Sequence, residues 1–213
     1  MTDTPRTPDE ELESGLSRKQ FVTAVGLGAI AAPVVAGAVV GTASAFEGQP
    51  LPLACTPGGS TTISQTEGPY FKPNSPLTSN IIPSGAAGTK LTVSGRVYSR
   101  SCKPVAQVLL DFWQADNAGN YDNSTYRFRG HQFTAADGTF NLTTIVPGLY
   151  PGRTRHIHVK VQAPGRPILT TQLYFPGEPR NSTDTIYDKR LLMNVQTVQG
   201  GKAATFDFVI SIP

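Results

Sequence analysis

Short segments of alternating apolar and polar residues dominate the chain from about residue 90 onward. This period of two is typical of strands that bury one face, and no long window shows the helical period. The 21 Gly and 18 Pro among 213 residues supply the turns between them. The pattern predicts an all-β fold, a two-sheet antiparallel β-sandwich with long loops. The predicted strands are LTVSGRV (91–97), QVLLDFW (107–113), TFNLTTI (139–145), HIHVKV (156–161), LTTQLYF (169–175) and TFDFVISI (205–212).

The first 45 residues have a different character. A polar, acidic start leads to SRKQFV and then to a charge-free, weakly hydrophobic stretch that closes with Ala43-Ser44-Ala45, a site of the kind signal peptidase cuts. SRKQF is similar to the twin-arginine signal, with Lys19 in the place of the second arginine. Residues 1–45 are therefore predicted to be an export signal of twin-arginine-like type, although ordinary secretion and an uncleaved membrane anchor both stay open. We expect an exported protein, secreted, periplasmic or at the cell surface.

Residues 46–65 are predicted to be a linker, followed by one domain over 66–213. The chain has two cysteines, Cys55 and Cys102. Outside the cytoplasm such a pair usually forms a disulfide, and the alternative is two unrelated thiols. The net charge is +3 with Lys and Arg scattered along the chain, which argues against nucleic-acid binding. The oligomeric state is not indicated, and membrane contact is expected only if the leader is retained.

Two of the three histidines, His156 and His158, are one residue apart within a predicted strand. Residues i and i+2 of a strand face the same way, so the two imidazoles would lie side by side, with Ile157 and Val159 on the other face. This arrangement is half of a metal site, and the alternative is a pair of partly exposed strand residues. The third histidine, His131, is distant in sequence.

Four segments carry a resemblance to a known family. TEGPYF (66–71), LLDFWQADNAGNYDN (109–123), VPGLYPGRTRHIHV (146–159) and TTQLYFPG (170–177) occur in an order similar to that of the intradiol ring-cleavage dioxygenases. The resemblance runs from about Thr66 to the C-terminus. The compact domain behind an export signal looks like the secreted branch of that family.

The resemblance implies a non-haem iron(III) centre held by Tyr121, Tyr150, His156 and His158. It also implies a catalytic role for Tyr150, as the ligand that leaves and helps to accept a substrate proton. Arg153, three residues before the first histidine, would stabilise negative charge on the substrate. Gln172 is expected to hold the polar groups of the pocket in place. Trp113 and Tyr174 are expected in the core, Arg155 as a solvated strand residue and Glu67 as a turn residue. Tyr70 and Phe71 either line the pocket or pack.

The function implied by the family is cleavage of a catechol-type ring by O2 to a cis,cis-muconate-type product. Its partners would be a small-molecule catechol and O2. Two rival functions stay open on the sequence: a secreted β-sandwich binding module without metal, and a copper or zinc site on the same histidine pair. Which catechol is cleaved is not indicated.

Overall fold

The structure, a computed structural model, describes residues 55–213. The predicted export signal and residues 46–54 of the predicted linker lie outside the described residues, so the predicted domain boundaries stay predictions. Among residues 55–213 no helix is both long enough and apolar enough to cross a bilayer.

The described residues form nine strands and two 3₁₀ helices. The strands are β1 (Lys90–Tyr98), β2 (Leu109–Trp113), β3 (Arg129–Phe133), β4 (Thr139–Ile145), β5 (His156–Gln162), β6 (Leu169–Tyr174), β7 (Asn194–Val198), β8 (Gly201–Thr205) and β9 (Phe208–Val209). The 3₁₀ helices are Pro179–Ser182 and Lys189–Leu191.

The strands form two sheets, which confirms the predicted all-β sandwich. One sheet has the order β3-β2-β5-β6 and is antiparallel throughout. The other has the order β4-β1-β8-β7, with β9 also paired to β1. This second sheet is mixed, because β8 and β9 run parallel to β1. A hairpin forces antiparallel pairing, whereas the long connection between β1 and β8 does not.

The core is built from the apolar halves of the alternating strands. Ile157 and Val159 are fully buried in it, and the two histidines of β5 face the opposite way, as the alternation predicted. The sheet that carries the histidines therefore has one face against the core and one face free to build a site. Other members of this core are Leu91, Val93, Val97, Leu110, Phe112, Leu142, Leu173 and Phe208.

Three strands escaped the sequence prediction, and one predicted strand was too long. The missed strands β3 (RGHQF), β7 (NVQTV) and β8 (GKAAT) contain few large apolar residues. The predicted strand over 205–212 is reduced to β9, with Thr205 ending β8. The interruption lies at Asp207, whose side-chain Oδ1 accepts from the Arg96 backbone N–H and replaces a backbone partner. Hydrophobic periodicity cannot show that a side chain takes the place of a backbone acceptor in the hydrogen bonding of a sheet.

A disulfide joins Cys55 to Cys102, with the Cα atoms 5.6 Å apart, which confirms the predicted bridge. From Cys55 the chain runs along the sandwich. The backbone N–H of Thr62 donates to the Val209 carbonyl, and that of Gln65 donates to the Thr170 carbonyl. The segment that leads into TEGPYF is thus held against the domain before it reaches the site.

Candidate metal centre

One row of residues crosses the outer face of the antiparallel sheet. Strand register places Arg129, Trp113, His158 and Gln172 opposite one another on β3, β2, β5 and β6. All four are buried. Trp113 stacks on the His158 ring, with centroids 4.7 Å apart and planes 7° apart. Trp113 is buried, as expected, but on the site face of the sheet and outside the main core cluster, where it fixes the plane of this imidazole.

Three of the four predicted ligands meet at one point. The Tyr121 hydroxyl lies 3.1 Å from His156 Nε2 and 3.0 Å from His158 Nε2, and the two Nε2 atoms are 3.1 Å apart. His156 Nδ1 lies 2.6 Å from the Thr154 carbonyl oxygen. A carbonyl only accepts, so Nδ1 carries the proton and the Nε2 lone pair points at the shared position.

Glycines bring the two tyrosine-bearing loops together. Gly119 and Gly148 each stand two residues before a tyrosine, Tyr121 and Tyr150 respectively. A Cβ on Gly119, whose φ is +89°, would overlap the Leu149 carbonyl, and a Cβ on Gly148 would overlap the Gly119 backbone nitrogen. Only residues without a side chain permit this approach of the two backbones.

Tyr150, the fourth predicted ligand, lies beside the other three. Its ring meets Tyr121 edge-on at 5.7 Å between centroids. Its hydroxyl is 2.9 Å from the hydroxyl of Tyr70. Tyr70 in turn stacks on Tyr121, with centroids 4.6 Å and planes 15° apart. Tyr70 therefore belongs to the tyrosine cluster and lines the candidate metal centre. The sequence had left open whether it lines the pocket or only packs.

The predicted polar pair, Arg153 and Gln172, is in direct contact. Arg153 Nη2 donates to Gln172 Oε1 at 2.7 Å, and Arg153 Nε donates to Asp184 Oδ2 at 2.9 Å. Gln172 Nε2 donates to the Thr66 carbonyl at 2.6 Å. Tyr174 is fully buried, as expected, and its hydroxyl donates to Gln172 Oε1 at 3.0 Å. Arg153 lies in the turn before β5, so strand alternation does not control its direction.

Two expected surface roles are wrong. Arg155 is not solvated: its Nε donates to Glu178 Oε1 at 2.7 Å, and Nη1 donates to the Pro147 carbonyl. Glu67 is more than a turn residue, because Oε2 pairs with Lys160 Nζ at 2.6 Å. That ammonium also lies 3.5 Å from the centroid of the Phe71 ring. Ion pairs between residues far apart in sequence leave no local pattern that would predict them.

Burial sets the protonation of the donor atoms. It lowers the pKa of His156 to about 4, with the Arg153 charge acting the same way and the Thr154 carbonyl opposing it. Burial, and then the charge of His156, also lowers the pKa of His158. Both imidazoles are therefore neutral ligands at pH 7. Burial raises the pKa of Tyr121, against the opposing charges of Arg153 and Arg129.

The donor set fits a metal ion. Ligand atoms about 2.1 Å from a metal and at right angles to each other lie about 3.0 Å apart, against about 3.4 Å in a tetrahedral zinc site. The observed separations of 3.0–3.1 Å would allow one metal ion to contact all three atoms. His156 donates its second ring N–H to the Thr154 carbonyl, as metal-bound imidazoles usually do, whereas His158 Nδ1 has no hydrogen-bond partner among the described residues. Within 55–213 no three His, Cys, Asp or Glu side chains cluster, so a metal here would depend on tyrosine oxygen.

Sequence reasoning missed two residues of the site, Arg129 and Asp184. Arg129 donates to backbone carbonyls at the base of the tyrosine cluster. Asp184 holds Arg153 from a loop after β6. The segment TEGPYF was noticed, but its motif gave no sign that Tyr70 would reach Tyr150, 80 residues further along.

Comparison with known proteins defines the class to which this fold and site belong. A protein-family model described as "Dioxygenase" matches residues 66–211. Together with relatives named for catechol-type ring cleavage, this match shows that the chain belongs to the intradiol ring-cleavage dioxygenase family. The resemblance to this family is confirmed, and its secreted branch stays a prediction.

Individual relatives make the likeness more specific. The chain is 31% identical to the protocatechuate 3,4-dioxygenase beta chain of Burkholderia cepacia over 162 residues, covering 63% of this chain and 69% of that one. Among solved structures it is similar to the dioxygenase domain of a dioxygenase–carbohydrate-binding protein fusion from Streptomyces sp. SirexAA-E. The identity is 63% and the TM-score is 0.71, with 72% of this chain and 100% of that chain covered.

A third comparison extends the likeness to a chlorinated-catechol enzyme. The crystal structure of 3-chlorocatechol 1,2-dioxygenase from Rhodococcus opacus 1CP is 29% identical with a TM-score of 0.67, over 71% of this chain and 73% of that chain. Coverage of other relatives is lower, at 61% of a chlorocatechol 1,2-dioxygenase and 52% of the hydroxyquinol 1,2-dioxygenase of Nocardioides simplex. The chain thus spans about half to two thirds of the length of the curated relatives it matches.

Proposed function

We propose that this protein is a non-haem iron(III) intradiol dioxygenase that cleaves a catechol-type ring with O2 to a cis,cis-muconate-type product. The family match supports the reaction class, and the names of the relatives support the substrate class. The ligands would be Tyr121, Tyr150, His156 and His158.

The observation that carries the proposal is the convergence of one phenol oxygen and two neutral imidazole nitrogens on a single position. A phenol stays protonated near pH 7, with a reference pKa of about 10, and burial raises that of Tyr121 further. A bound cation reverses this preference by deprotonating its ligands. Phenolate is a hard oxygen donor, which suits the hard ferric ion.

The ferric ion, when bound, would supply the positive charge that takes up the two catechol oxygens and makes the ring reactive towards O2. The chain's own residues supply the rest. Tyr150 would accept a proton from the substrate hydroxyl. The Tyr70 hydroxyl, 2.9 Å away, would be the hydrogen-bond partner of Tyr150 in that role. Arg153 would stabilise negative charge that develops on the ring, and Gln172 holds its Nη2 in place.

We also propose that the protein acts outside the cytoplasm. The signal-like residues 1–45 support export, and the Cys55–Cys102 disulfide is typical of an oxidising compartment. The mature chain would then begin near Phe46. N-terminal sequencing of exported material tests this, and an intact Met1 in the membrane fraction would support a retained anchor instead.

The rivals make different predictions about metal and colour. A tyrosinate–iron(III) protein is red to purple, whereas a metal-free binding module and a zinc protein are colourless. Two buried imidazoles that converge on one phenol oxygen are unlike an open sugar-binding surface.

The test is a visible spectrum with metal analysis, before and after addition of catechol. We expect one ferric iron per chain, a coloured protein, and a spectral change when catechol binds. Tyr121→Phe should lose both iron and colour. Tyr126→Phe is the matched control, because Tyr126 belongs to the same loop and its hydroxyl bonds, among residues 55–213, only the Pro73 carbonyl. A colourless, iron-free and still active protein would refute the proposal.

A further inference from the structure

Within the part of the chain that the structure describes, a buried arginine at one end of the row Arg129–Trp113–His158–Gln172 has no acidic partner. Arg129, the first residue of β3, is 2% exposed. Among residues 55–213 no carboxylate oxygen lies within 4.0 Å of its guanidinium, and the five ion pairs found there involve other residues. Burying an unpaired charge is costly. The arrangement therefore calls for a role beyond packing.

The guanidinium binds two backbone carbonyls. Nη1 donates to the Tyr70 carbonyl at 2.6 Å, while Nε and Nη2 donate to the Asp122 carbonyl at 3.2 and 2.8 Å. The two acceptors belong to different segments, 66–71 and the loop between β2 and β3. Arg129 is therefore a cross-link between segments that approach each other only in the folded protein.

These two segments carry the stacked tyrosines. One carbonyl belongs to Tyr70 itself, and the other to Asp122, the neighbour of Tyr121. The Tyr70 ring lies 4.6 Å from the Tyr121 ring and nearly parallel to it, and its hydroxyl meets that of Tyr150. A shift of either carbonyl would move a tyrosine ring relative to His156 and His158.

We propose that Arg129 is a positioning residue of the metal centre: its planar fork joins the backbones of the Tyr70 and Tyr121 segments and so sets the placement of Tyr121 against the two histidines. The inference rests on the proposed function, since it concerns a ligand of that centre. The fork matters because two separate nitrogens, Nη1 and Nη2, reach carbonyls on different segments. A lysine keeps the charge and has three N–H donors, but all of them are on one nitrogen at the end of a flexible stem.

The experiment compares Arg129→Lys and Arg129→Met with the same changes at Arg127. Arg127 is exposed, lies two residues earlier in the same loop, and has no side-chain hydrogen bond among the described residues. Iron content, the visible spectrum, kcat and KM are measured at equal iron loading. Arg129→Lys should shift the tyrosinate band and lower kcat by about 10- to 100-fold, the scale of an ångström-sized misplacement. The Arg127 variants should match the wild type.

Wild-type spectrum and kcat in Arg129→Lys would overturn the proposal, even if its melting temperature falls. If neither Arg129 variant folds, Arg129→Gln decides, because its one amide nitrogen is uncharged and cannot replace the three donor nitrogens that Arg129 uses. We expect the same band shift in Arg129→Gln, and an unchanged spectrum there would also overturn the proposal. A colourless, iron-free wild type would instead refute the proposed function, so the two failures are distinguishable.

Discussion

Replacing Asp184 by asparagine tests whether a buried ion pair holds Arg153 in the site. The Asp184 side chain is 2% exposed and that of Arg153 is 19% exposed. Oδ2 accepts from Arg153 Nε at 2.9 Å and from the Thr154 N–H at 2.8 Å, while Oδ1 accepts from the Ile186 N–H at 3.1 Å. Asparagine offers one oxygen in place of two. Its NH2 group must therefore face an N–H donor at one of these positions.

The expected loss is large for a single substitution. Removing one partner of a buried pair costs about 3–5 kcal/mol. We expect the lower end, about 3 kcal/mol, because Arg153 keeps Gln172 and some solvent. For a domain of this size each kcal/mol lowers Tm by about 2–4 °C, so the drop should be about 6–12 °C. Turnover should also fall, because Arg153 loses the group that orients it.

The pH dependence has a definite sign. Burial alone would raise the pKa of Asp184, but hydrogen bonds from Thr154, Ile186 and Arg153 outweigh it and hold the pKa below its usual value. A carboxyl with a depressed folded pKa stabilises the protein above its unfolded pKa, and the contribution is lost as pH falls through the folded pKa. The difference between wild type and Asp184→Asn should therefore be full at pH 7 and shrink as the pH falls below about 4.

The assay is thermal unfolding followed by circular dichroism between pH 7 and 3. Asp137→Asn is the matched control, because the Asp137–Arg96 pair is exposed, at 57% and 47%, and pairs of this kind contribute less than about 1 kcal/mol. A Tm drop at pH 7 no larger than that of Asp137→Asn would refute the reasoning. A difference that grows on acidification would refute the assigned sign.

Three further predictions follow from the site, the disulfide and the leader. At equal iron loading, Arg153→Ala should keep colour and lose about 10²–10³ in turnover measured by oxygen uptake. Arg155→Ala should lose less than about threefold, because the Arg155 guanidinium is paired with Glu178 and supplies no charge to the substrate position. The opposite ranking would contradict the assignment of Arg153. Cys102→Ser should lower the free energy of unfolding by about 4 kcal/mol, because the unfolded chain regains the entropy that closing a loop of this length removes. Denaturant titration measures this change, and no loss would argue against a bridge in the purified protein. Arg18-Lys19→Gln-Gln should keep the protein in the cytoplasm on cell fractionation, and normal export would contradict a twin-arginine route.

The local alternation of apolar and polar residues was enough to predict the strands that line the core and the shared face of the histidine pair. Alternation in β5 put His156 and His158 on one face because the side-chain period of a strand is two, whatever surrounds it. It failed for β3, β7 and β8, whose residues gain their strand geometry from neighbours and not from apolar alternation. It also could not give the direction of Arg153, which lies in a turn.

The sequence by itself determined the fold class, the family, the same-face histidines and the cysteine pair, because each depends on local periodicity, motif order or composition. Only the tertiary structure decided that β1 has parallel partners, that Tyr70 closes on Tyr150, and that Asp184 and Arg129 anchor the site. These contacts join residues 31 to 111 positions apart in the sequence. The partners in these contacts are brought together by the folding of the whole domain. A local period or a short motif in one sequence therefore does not predict them.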